Sequence, residues 1–426
     1  MPYSNQRSRF FITLTVGIIL TLGSVLAIQI AKGYRPNLKQ MSLNGMGLLS
    51  STSYPKSAQV FVNDRLSSVT DDTLYLNPGT YQVKIIKNGY NTWSKTIPVK
   101  AEIVSITDAR LFPAIPSSNP LTFYKIDSPL ISPDGSKIIY LQTNSPFDTD
   151  NGLYVMSFSN TIIGDQVTQV SDLASFDYSK TEFLWSPDSS QILALSNDGK
   201  KVISARLLNP KILNTTKNLV DQTIRLPLIL NQWRDQVDKI HQNRIKDFPD
   251  FITKIASSSS AFTYFSPDTE KILYSPTIDQ ELPDNDIGKN LLYLNPTKQA
   301  RSLNKGKTYI FDRKEVTNYL IDVDNPINQP KTKTDEQLTQ FYLLKRLLDP
   351  ISTQNLSWFS DSNHILIRSD SGVNVIDYDG LNNVSLTSSI LKNRFALSTP
   401  DGNRLIVLSN LNQKTDLYNL ISLNLK

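Results

Sequence analysis

The sequence contains no cysteine and only two histidines among its 426 residues. The absence of cysteine excludes disulfide bonds, thiolate metal sites, thiol catalysis and a lipid attached to an N-terminal cysteine. His241 and His364 belong to neither a His-Glu-x-x-His zinc motif nor a recognisable catalytic triad. The sequence also lacks a Gly-x-Ser-x-Gly elbow and a phosphate-binding glycine loop. We therefore predict no catalytic residue, no metal site and no cofactor, and we interpret the chain as a non-enzyme.

Charge and apolar content are both modest. The net charge is +5, and 39% of the residues are hydrophobic. The basic residues are spread along the chain instead of being clustered with aromatic residues, so nucleic-acid binding is not predicted. Abundant Asn, Ser and Thr favour β-structure with many polar turns. A chain of this length can form two or three domains.

The longest uncharged run is Phe10–Ala31, which as a helix would span about 30 Å of hydrocarbon. We predict a transmembrane anchor at 10–31 after a short tail at 1–9. A buried core helix is disfavoured by the length and the flanking cations, whereas a signal peptide cleaved near Val25-Leu26-Ala27 is an open alternative. Basic residues flank both ends, so charge alone does not decide the orientation.

Residues 32–53 are polar and are interpreted as a tether. Alternating apolar residues begin at Ala58 and continue, between turns, to Leu111. About five short strands in this interval predict a small antiparallel β-sandwich over 54–112.

Two motifs in this interval, Leu76–Tyr81 (LNPGTY) and Lys87–Trp93 (KNGYNTW), resemble those of the PEGA domain. Tyr54–Ala58 (YPKSA) is similar to a third motif, with Ser57 where that family has glycine, which leaves the approach to the first strand open. The resemblance implies a β-sandwich module of surface and envelope proteins without catalytic residues. We interpret Trp93 as a core aromatic residue, with sugar stacking as the alternative. The residues that carry the resemblance are Pro55, Ala58, Pro78, Gly79, Tyr81, Gly89, Tyr90 and Trp93.

One short motif recurs five times after residue 120: a Ser-Pro-Asp or Thr-Pro-Asp turn, or its remnant, that leads into an apolar strand. Its aspartates are Asp134, Asp188, Asp268, Asp361 and Asp401. Proline fixes φ, the aspartate caps backbone amides, and glycine, where present, takes the strained position. A metal array is disfavoured, because each aspartate belongs to its own turn.

The repeated motif resembles that of TolB-type and WD-repeat-like β-propellers. The resemblance spans 121–426, after a linker at 113–120 that is rich in Pro and Ser. Intervals of 54, 80, 93 and 40 residues between the aspartates compare with about 40–50 residues per blade. We predict about six blades, with a last strand at Asp416–Leu423 that closes the ring. The predicted fold class is thus all-β with an N-terminal transmembrane helix, a small antiparallel β-sandwich and a β-propeller that carries two helical insertions.

The two insertions lie near 226–255 and 334–348. In the first, Leu230, Trp233, Val237 and Ile240 share a helical face, and a break is predicted at Asp247–Pro249. In the second, Thr334 and Gln337 suggest a capping box before the face formed by Leu338, Phe341, Leu344 and Leu348. We expect both faces to pack on the propeller; a lid or a docking arm is the alternative. An acidic loop near Asp279 and Asp286 is interpreted as solvated, with Ca²⁺ binding as the alternative.

These features predict a single-pass membrane protein whose C-terminal domains are extracytoplasmic and serve for binding or as a scaffold. The predicted partners are the membrane, through the N-terminal helix, and a protein or an envelope polymer; nucleic acid is not among them. One alternative is an envelope carbohydrate-active hydrolase with paired carboxylates in the propeller channel. Another is an intracellular propeller scaffold.

Overall fold

The structure, a computed structural model, describes most of the chain. The described residues are 4–31, 34–37, 42–159, 164–215, 217–283, 295–323, 325, 335–350, 354–410 and 417–426. They divide into two compact units, residues 1–111 with 290–297 and residues 112–289 with 298–426. Each unit has its own hydrophobic core.

Helix α1, Ser4–Ala31, contains the uncharged run and begins inside the predicted tail. Its segment Phe10–Ile28 has a mean hydropathy of 2.4 and is exposed throughout. By length and composition it can cross a membrane, although a signal sequence would meet the same criteria. Strands β1 (Tyr34–Asn37) and β2 (Ser42–Gly45) then pair antiparallel, so the predicted tether contains a hairpin.

Seven further strands form the rest of the first unit. They are β3 (Gly47–Tyr54), β4 (Gln59–Val62), β5 (Arg65–Val69), β6 (Asp72–Leu76), β7 (Gly79–Ile86), β8 (Trp93–Val99) and β9 (Val104–Arg110). They make two sheets, of order β6–β3–β9 and β5–β4–β7–β8, which share one apolar core. This is the two-layer structure that the alternation of apolar residues predicts.

Two predictions about this unit are wrong. Strand β3 lies almost wholly within residues 32–53, which were predicted as a tether. Its inward-facing positions include Ser51 and Ser53 as well as Leu49, and these small polar residues hide the period of two. Strand β3 also pairs in parallel with β9, so the sandwich is not wholly antiparallel. Strands so far apart in sequence leave no local signal of their pairing.

The second unit has twenty-one strands within its described residues. They are β10 (Ser118–Pro120), β11 (Lys125–Ile131), β12 (Lys137–Thr143), β13 (Gly152–Ser157), β14 (Gln166–Asp172), β15 (Thr181–Trp185), β16 (Ile192–Asn197), β17 (Val202–Leu208), β18 (Ser260–Phe265), β19 (Lys271–Pro276), β20 (Gln280–Glu281), β21 (Ser302–Leu303), β22 (Thr308–Asp312), β23 (Thr317–Ile321), β24 (Leu356–Trp358), β25 (His364–Ser369), β26 (Gly372–Asp377), β27 (Val384–Thr387), β28 (Leu391–Ser398), β29 (Arg404–Ser409) and β30 (Asn419–Asn424).

Apart from the short pair β20–β21, these strands form five antiparallel sheets that resemble propeller blades. In chain order, the first sheet is β11–β14, the second β15–β17, the third β18, β19, β22 and β23, the fourth β24–β27, and the fifth β28–β30 with β10. Strand β10 lies in the predicted linker 113–120, which is therefore not a linker throughout. Because β10 pairs with the last strand, β30, both ends of the unit meet in the fifth sheet.

Consecutive sheets pack face to face through buried apolar side chains. The first packs on the second around Trp185, the third on the fourth around Trp358, the fourth on the fifth around Phe359, and the fifth on the first around Tyr140. The second and third sheets pack on helices instead. Sheets and helices together therefore form a closed ring.

Three helices occupy the sector between the second and third sheets, and we call them the helical sector. They are α2 (Leu226–Ile245), α3 (Asp250–Ser258) and α4 (Glu336–Leu348). Trp233 of α2 and Phe341 of α4 are buried against the second sheet, whereas Ile252 of α3 is buried against the third. The predicted helices, their break near Pro249 and the packing of their apolar faces on the sheets are confirmed, except that Ile240 of the predicted α2 face is 39% exposed.

The described residues give five sheets, whereas the spacing of the aspartates predicts about six blades. The long intervals explain the difference, because the interval of 80 residues contains α2 and α3 and the interval of 93 contains α4. The sequence also predicts a strand at Asn290–Leu294, and this segment lies outside the described residues, as does Asp416 of the predicted last strand. In the third sheet, β19 pairs with β18 on one side and with β22 on the other.

The start of α4 also differs from the prediction. The side chain of Asp335 caps it, accepting a hydrogen bond from the Leu338 amide at 3.0 Å. The predicted capping residue, Thr334, lies outside the described residues. Asp335 directly precedes the first helical residue, which is the position where a short acceptor reaches the free amides.

Candidate functional site

The five repeat aspartates lie in five separate turns, each between the first and second strand of a sheet. In every turn the carboxylate accepts a hydrogen bond from the backbone N–H two residues later, as from Ser136 to Asp134 at 3.0 Å. In four turns the Ser or Thr hydroxyl donates to the same carboxylate. The residue after each aspartate has a φ between 58° and 70°. The structure thus places these aspartates as turn caps and does not bring them together.

The electrostatics of the turns fit this role. Burial by itself would raise the pKa of Asp134, Asp188 and Asp401, but the hydroxyl and amide donors outweigh it, and each pKa is lowered. Carboxylate oxygens that accept these bonds have less capacity left for a metal ion. Among the described residues, no group of three or more His, Asp or Glu side chains is arranged to hold one.

Replacing Asp188 by alanine is expected to destabilise the second unit by about 1–2 kcal/mol. The Ser190 amide and the hydroxyls of Ser186 and Ser190 would lose their acceptor. Denaturant unfolding of the purified protein measures the loss. The same substitution at Asp235, exposed on α2, is the control and should change stability by less than about 0.5 kcal/mol. Equal losses in the two variants would contradict the capping role.

A basic side chain stands three residues after the aspartate in four of the five turns. We call these residues the junction cations: Lys137, Lys271, His364 and Arg404. The pattern Asp-x-x-Lys/His/Arg is visible in the sequence, but the turn chemistry of the motif does not require it and our sequence analysis missed it.

Two of the junction cations bond across the boundary between sheets. Lys271 of the third sheet pairs with Asp312 at 3.5 Å and donates to Asn363 of the fourth sheet at 3.2 Å. Arg404 of the fifth sheet makes two bonds, of 2.6 and 2.8 Å, to Asp165, which lies next to β14 of the first sheet. Lys271 and Arg404 therefore join neighbouring sheets.

His364 is the most deeply buried junction cation. Its two ring nitrogens lie 2.9 Å from Asp361 and 3.3 Å from Asp377. Burial opposes the charge on this imidazole, but the two carboxylates outweigh burial and raise the pKa of His364 to about 10. The ring of Phe112 lies edge-on at 5.2 Å. His364 is thus a buried imidazolium held by two carboxylates, and both of its nitrogens are occupied.

The second sheet departs from this pattern, since it has Gln191 where the others have a cation. The second sheet is followed around the ring by the helical sector and not by another sheet. Hydrogen bonds from backbone amides to serine hydroxyls of the next sheet are likewise described only where one sheet packs directly on another. They join the first sheet to the second, the third to the fourth and the fourth to the fifth, as from the Asp268 amide to Ser362 Oγ at 3.0 Å. The helical sector therefore takes the place of the backbone-to-serine hydrogen bonds found at these other junctions.

The helical sector joins the second and third sheets through polar contacts of its own. Lys345 and Tyr342 of α4 bind Glu182 of the second sheet, with the ammonium group at 2.8 Å. His241 of α2 lies 3.1 Å from the Thr263 hydroxyl of the third sheet. Burial is the main cause that lowers the pKa of His241. Among its described contacts, His241 has a threonine hydroxyl and an aromatic ring, which do not form a catalytic dyad.

The ring has two distinct faces. The first strands β11, β15, β18, β24 and β28 all run toward their aspartate turns, so they all begin at the opposite side of the ring. We call that side the start face and the side of the aspartates the turn face. The chain also leaves each four-stranded sheet at the start face, because the strands alternate in direction, whereas β17, the third strand of the second sheet, ends at the turn face.

Three carboxylates near the start face are held in ion pairs. Asp127 pairs with Lys392, Glu182 with Lys345, and Asp370 with Arg394 at 3.0 Å. Burial would raise the pKa of Glu182, but Lys345 and Tyr342 outweigh it and the pKa is lowered. The bond from Arg394 lowers the pKa of Asp370. These pairs fix the position of charged groups, and the lowered pKa values keep Glu182 and Asp370 ionised.

Exposed apolar side chains also mark the start face. Phe123, which is 77% exposed, lies in the loop before β11, and Ile390, at 57%, lies in the loop before β28. Phe147, Leu173 and Ile278 are exposed in other loops of this face. Together with the ion pairs, they make the start face the candidate interaction surface of the second unit.

The predicted acidic loop is only partly described. Asp279 accepts a bond from the Lys305 amide at 2.6 Å, and Glu281 accepts one from the Ser302 hydroxyl at 3.3 Å. Residues 284–286 lie outside the described residues. The two described acids are therefore bound within their own loop.

The motif residues of the first unit form turns and core. Gly89 has a φ of 82°, and Ser57 adopts a φ of 60°, so the serine takes a left-handed conformation where the related motif has glycine. Ala58 is buried and Pro55 is half-buried. The turn into β7 contains Pro78 and Gly79. Tyr81 and Tyr90 are partly buried against the core. Trp93 is buried in that core, which leaves it unavailable for stacking on a sugar.

Residues 46–113 match the PEGA domain family. This segment is a PEGA domain. It begins earlier than the predicted range of 54–112 because β3 belongs to it. No curated protein matches the chain.

Solved structures that match the chain include a putative TolB from Agrobacterium tumefaciens, at 12% identity and a TM-score of 0.21, with 86% of this chain and 79% of that chain covered. TolB from Acinetobacter baumannii is also 12% identical with a TM-score of 0.21, and 81% of this chain and 59% of that chain are covered. U3-55K is 9% identical with a TM-score of 0.26, covering 72% and 98%. Scores this low carry no argument about function.

Proposed function

We propose that this chain is a non-catalytic, membrane-anchored binding or scaffold protein whose PEGA domain and second unit lie outside the cytoplasm. In this proposal α1 remains as a single-pass anchor. The five sheets and the helical sector form a β-propeller, and its start face engages a protein or a polymer of the cell envelope.

The observation that carries this proposal is the state of the charged groups on the start face. Asp127, Glu182 and Asp370 are each paired with a lysine or arginine. Around them, Phe123 and Ile390 project into solvent. Apolar side chains beside fixed, paired charges are suited to contact with another macromolecule, in which burial supplies affinity and charge supplies orientation.

Hydrolysis of a carbohydrate would require a different arrangement. A glycosidase needs a general acid whose pKa is raised beside a second carboxylate. Every described carboxyl group whose pKa departs clearly from its ordinary value has a lowered pKa, as at Glu182 and Asp370. This favours binding over catalysis for the described part of the start face.

The location rests on the order of the first elements. Helix α1 is apolar over a length that can span a membrane, and a PEGA domain follows it in the chain. The PEGA domain is a module of surface and envelope proteins, and the apolar helix is consistent with export.

Crosslinking in intact cells with a reagent that does not cross membranes tests location and binding together. The wild-type chain is expected to give crosslinked complexes, because the start face would be outside the cytoplasm and in contact with its partner. Phe123→Asp should reduce these complexes about tenfold, since a buried charge without a partner opposes association. Ile212→Asp, exposed near the turn face after β17, is the matched control and should leave them unchanged.

Two results would contradict the proposal. Complexes formed only with a reagent that enters the cytoplasm would show that the second unit lies inside. Equal yields from the Phe123→Asp and wild-type chains would show that the start face is not the contact surface. Circular dichroism of both variants should remain that of the wild type, which separates loss of binding from loss of folding.

A further inference from the structure

The second sheet is the one sheet of the ring with three described strands instead of four. Its edge strand, β17, is bridged to the following chain at Arg206 and Asp221. Beside this bridge, the Gln222 amide donates to the Ala205 carbonyl at 2.7 Å, and the Ala205 amide donates to Thr223 Oγ1 at 3.0 Å. Residues 221–223 therefore lie along the middle of β17, and the chain then turns into α2 near the beginning of β17.

Four exposed apolar side chains belong to the chain segments that meet at this edge, and we call them the edge patch: Ile203 of β17, Val220 and Ile224 on either side of residues 221–223, and Leu228 in the first turn of α2. Ile224 is 97% exposed and Ile203 is 52% exposed. The bonds between Ala205 and residues 222 and 223 place Ile224 at the same edge as Ile203. Single exposed apolar residues are common on soluble proteins, but a group of four marks a contact surface.

The buried side of the same segments supports their closeness. Val202, the neighbour of Ile203, packs against the cluster that contains Leu226 of α2. In β17, Val202 faces the core and Ile203 faces solvent, and around the start of α2, Leu226 faces the core and Ile224 faces solvent. The exposed residues are not needed for the core, which is already filled by their neighbours.

Basic residues surround the edge patch. Lys200, Lys201 and Arg225 are exposed next to Ile203 and Ile224. Two acids lie nearby: Asp198 accepts bonds from the amides of residues 200 and 201, and Asp221 accepts bonds from the amide and hydroxyl of residue 223. These bonds lower the pKa of both carboxyl groups, which therefore stay ionised. The edge patch thus combines apolar side chains with a border in which the three cations outnumber the two carboxylates.

We propose that the edge patch rests on the anionic surface of the membrane that holds α1. The isoleucine side chains enter the boundary between headgroups and acyl chains, and the lysine and arginine side chains lie among the anionic headgroups. This inference rests on the proposed function, because α1 is the anchor. The combination of apolar contact and cationic border is the chemistry that binds anionic lipid surfaces. Attachment through α1 raises the local concentration of lipid that the patch meets.

The absence of cysteine makes a site-specific test possible, since Ile224→Cys introduces a single thiol. The full chain carrying an environment-sensitive fluorophore at this thiol is reconstituted in vesicles of phosphatidylcholine with phosphatidylglycerol, or of phosphatidylcholine alone. Quenching by lipids with a doxyl group on the acyl chain is then measured. Quenching in the anionic vesicles is expected to exceed that in neutral vesicles at least about twofold. Asn243→Cys, exposed near the other end of α2, is the control and should show little quenching in either.

A label at Leu20→Cys in α1 separates failure of the anchor from failure of the patch. If the Leu20 label is not quenched, the proposed function fails. If it is quenched while the Ile224 label behaves like the Asn243 control, the anchor stands and the edge patch is not a membrane contact. Equal quenching of the Ile224 label in anionic and neutral vesicles also overturns the inference. So does a fluorescence shift of this label that occurs only when a membrane-free cell extract is added, because that result would indicate a protein partner.

The cationic border has its own variant. Replacing Lys200, Lys201 and Arg225 by glutamate in the labelled Ile224→Cys chain should abolish the difference between the two vesicle types. Raising the salt concentration should reduce that difference in the original chain, because exposed charges are screened beyond a Debye length of about 10 Å at 0.1 M salt. A difference that survives both changes contradicts the role assigned to the cations.

Discussion

Replacing Phe341 by alanine is expected to lower the free energy of unfolding of the second unit by about 3–5 kcal/mol. The Phe341 side chain is fully buried in the cluster that α2 and α4 share with the second sheet. Alanine would leave a cavity between α4, α2 and the second sheet, which all pack against the Phe341 ring. Hydrogen exchange should therefore rise more in α2, α4 and the second sheet than in the fourth sheet.

Leu343→Ala provides the comparison, because Leu343 is two residues further along α4, about 200° around the helix, and lies on its exposed side. It should cost less than about 0.5 kcal/mol. Denaturant unfolding gives the two free energies, and hydrogen exchange with mass spectrometry gives their distribution. Exchange raised equally in all five sheets would mean that the helical sector is not a distinct part of the ring.

The stability of the second unit is expected to fall as the pH rises from 6.5 to 10, through loss of the charge on His364. The carboxylates of Asp361 and Asp377 outweigh burial and raise the pKa of His364 to about 10 in the folded chain, against about 6.5 when unfolded. Since the folded pKa is the higher one, the stabilisation is complete below pH 6.5 and disappears as the pH passes the folded pKa. Each unit of difference corresponds to about 1.4 kcal/mol.

Unfolding free energies of the wild type and His364→Gln across this range measure the contribution. The gap between the two proteins should narrow steadily with rising pH. His241→Gln removes the other histidine, whose pKa is lowered by burial, so it should retain the wild-type slope above pH 6.5. A constant gap between wild type and His364→Gln would show that His364 is not a charged member of the folded ring.

Local turn chemistry made much of the ring predictable. The aspartate of each motif is hydrogen-bonded within its own turn, and the apolar run after it is a buried second strand, as at Ile192 to Leu195. The helix faces were equally readable, because Leu338, Phe341 and Leu344 recur at helical spacing and are all buried. Features that depend on neighbours within a few residues leave a signal in the sequence.

Features that depend on distant partners left no such signal. Half of the inward-facing residues of strand β3 are serines, and it is a strand because β6 and β9 lie on either side of it. Strand β10 is three polar or prolyl residues that become a strand by pairing with β30. The helices near Trp233 were predicted, but their place in the ring between two sheets depends on the packing of the whole unit. The start face likewise exists only once first strands far apart in sequence are aligned.

The pairing of β10 with β30 also sets the order of events during synthesis. Ser118 lies opposite Leu423, so about 300 residues separate the two strands that complete the fifth sheet. Closing a loop of this size costs little more free energy than closing one half as long, about 0.6 kcal/mol per doubling, so the native ring pays only slightly for it. The delay is larger than the energetic cost, because non-local strand pairs form slowly. Until the last strand has left the ribosome or the export machinery, β10 has no partner, and the unpaired edge of β29 is exposed to other chains. The ring thus passes through a period, set by the rate of translation or export, in which it is most open to aggregation.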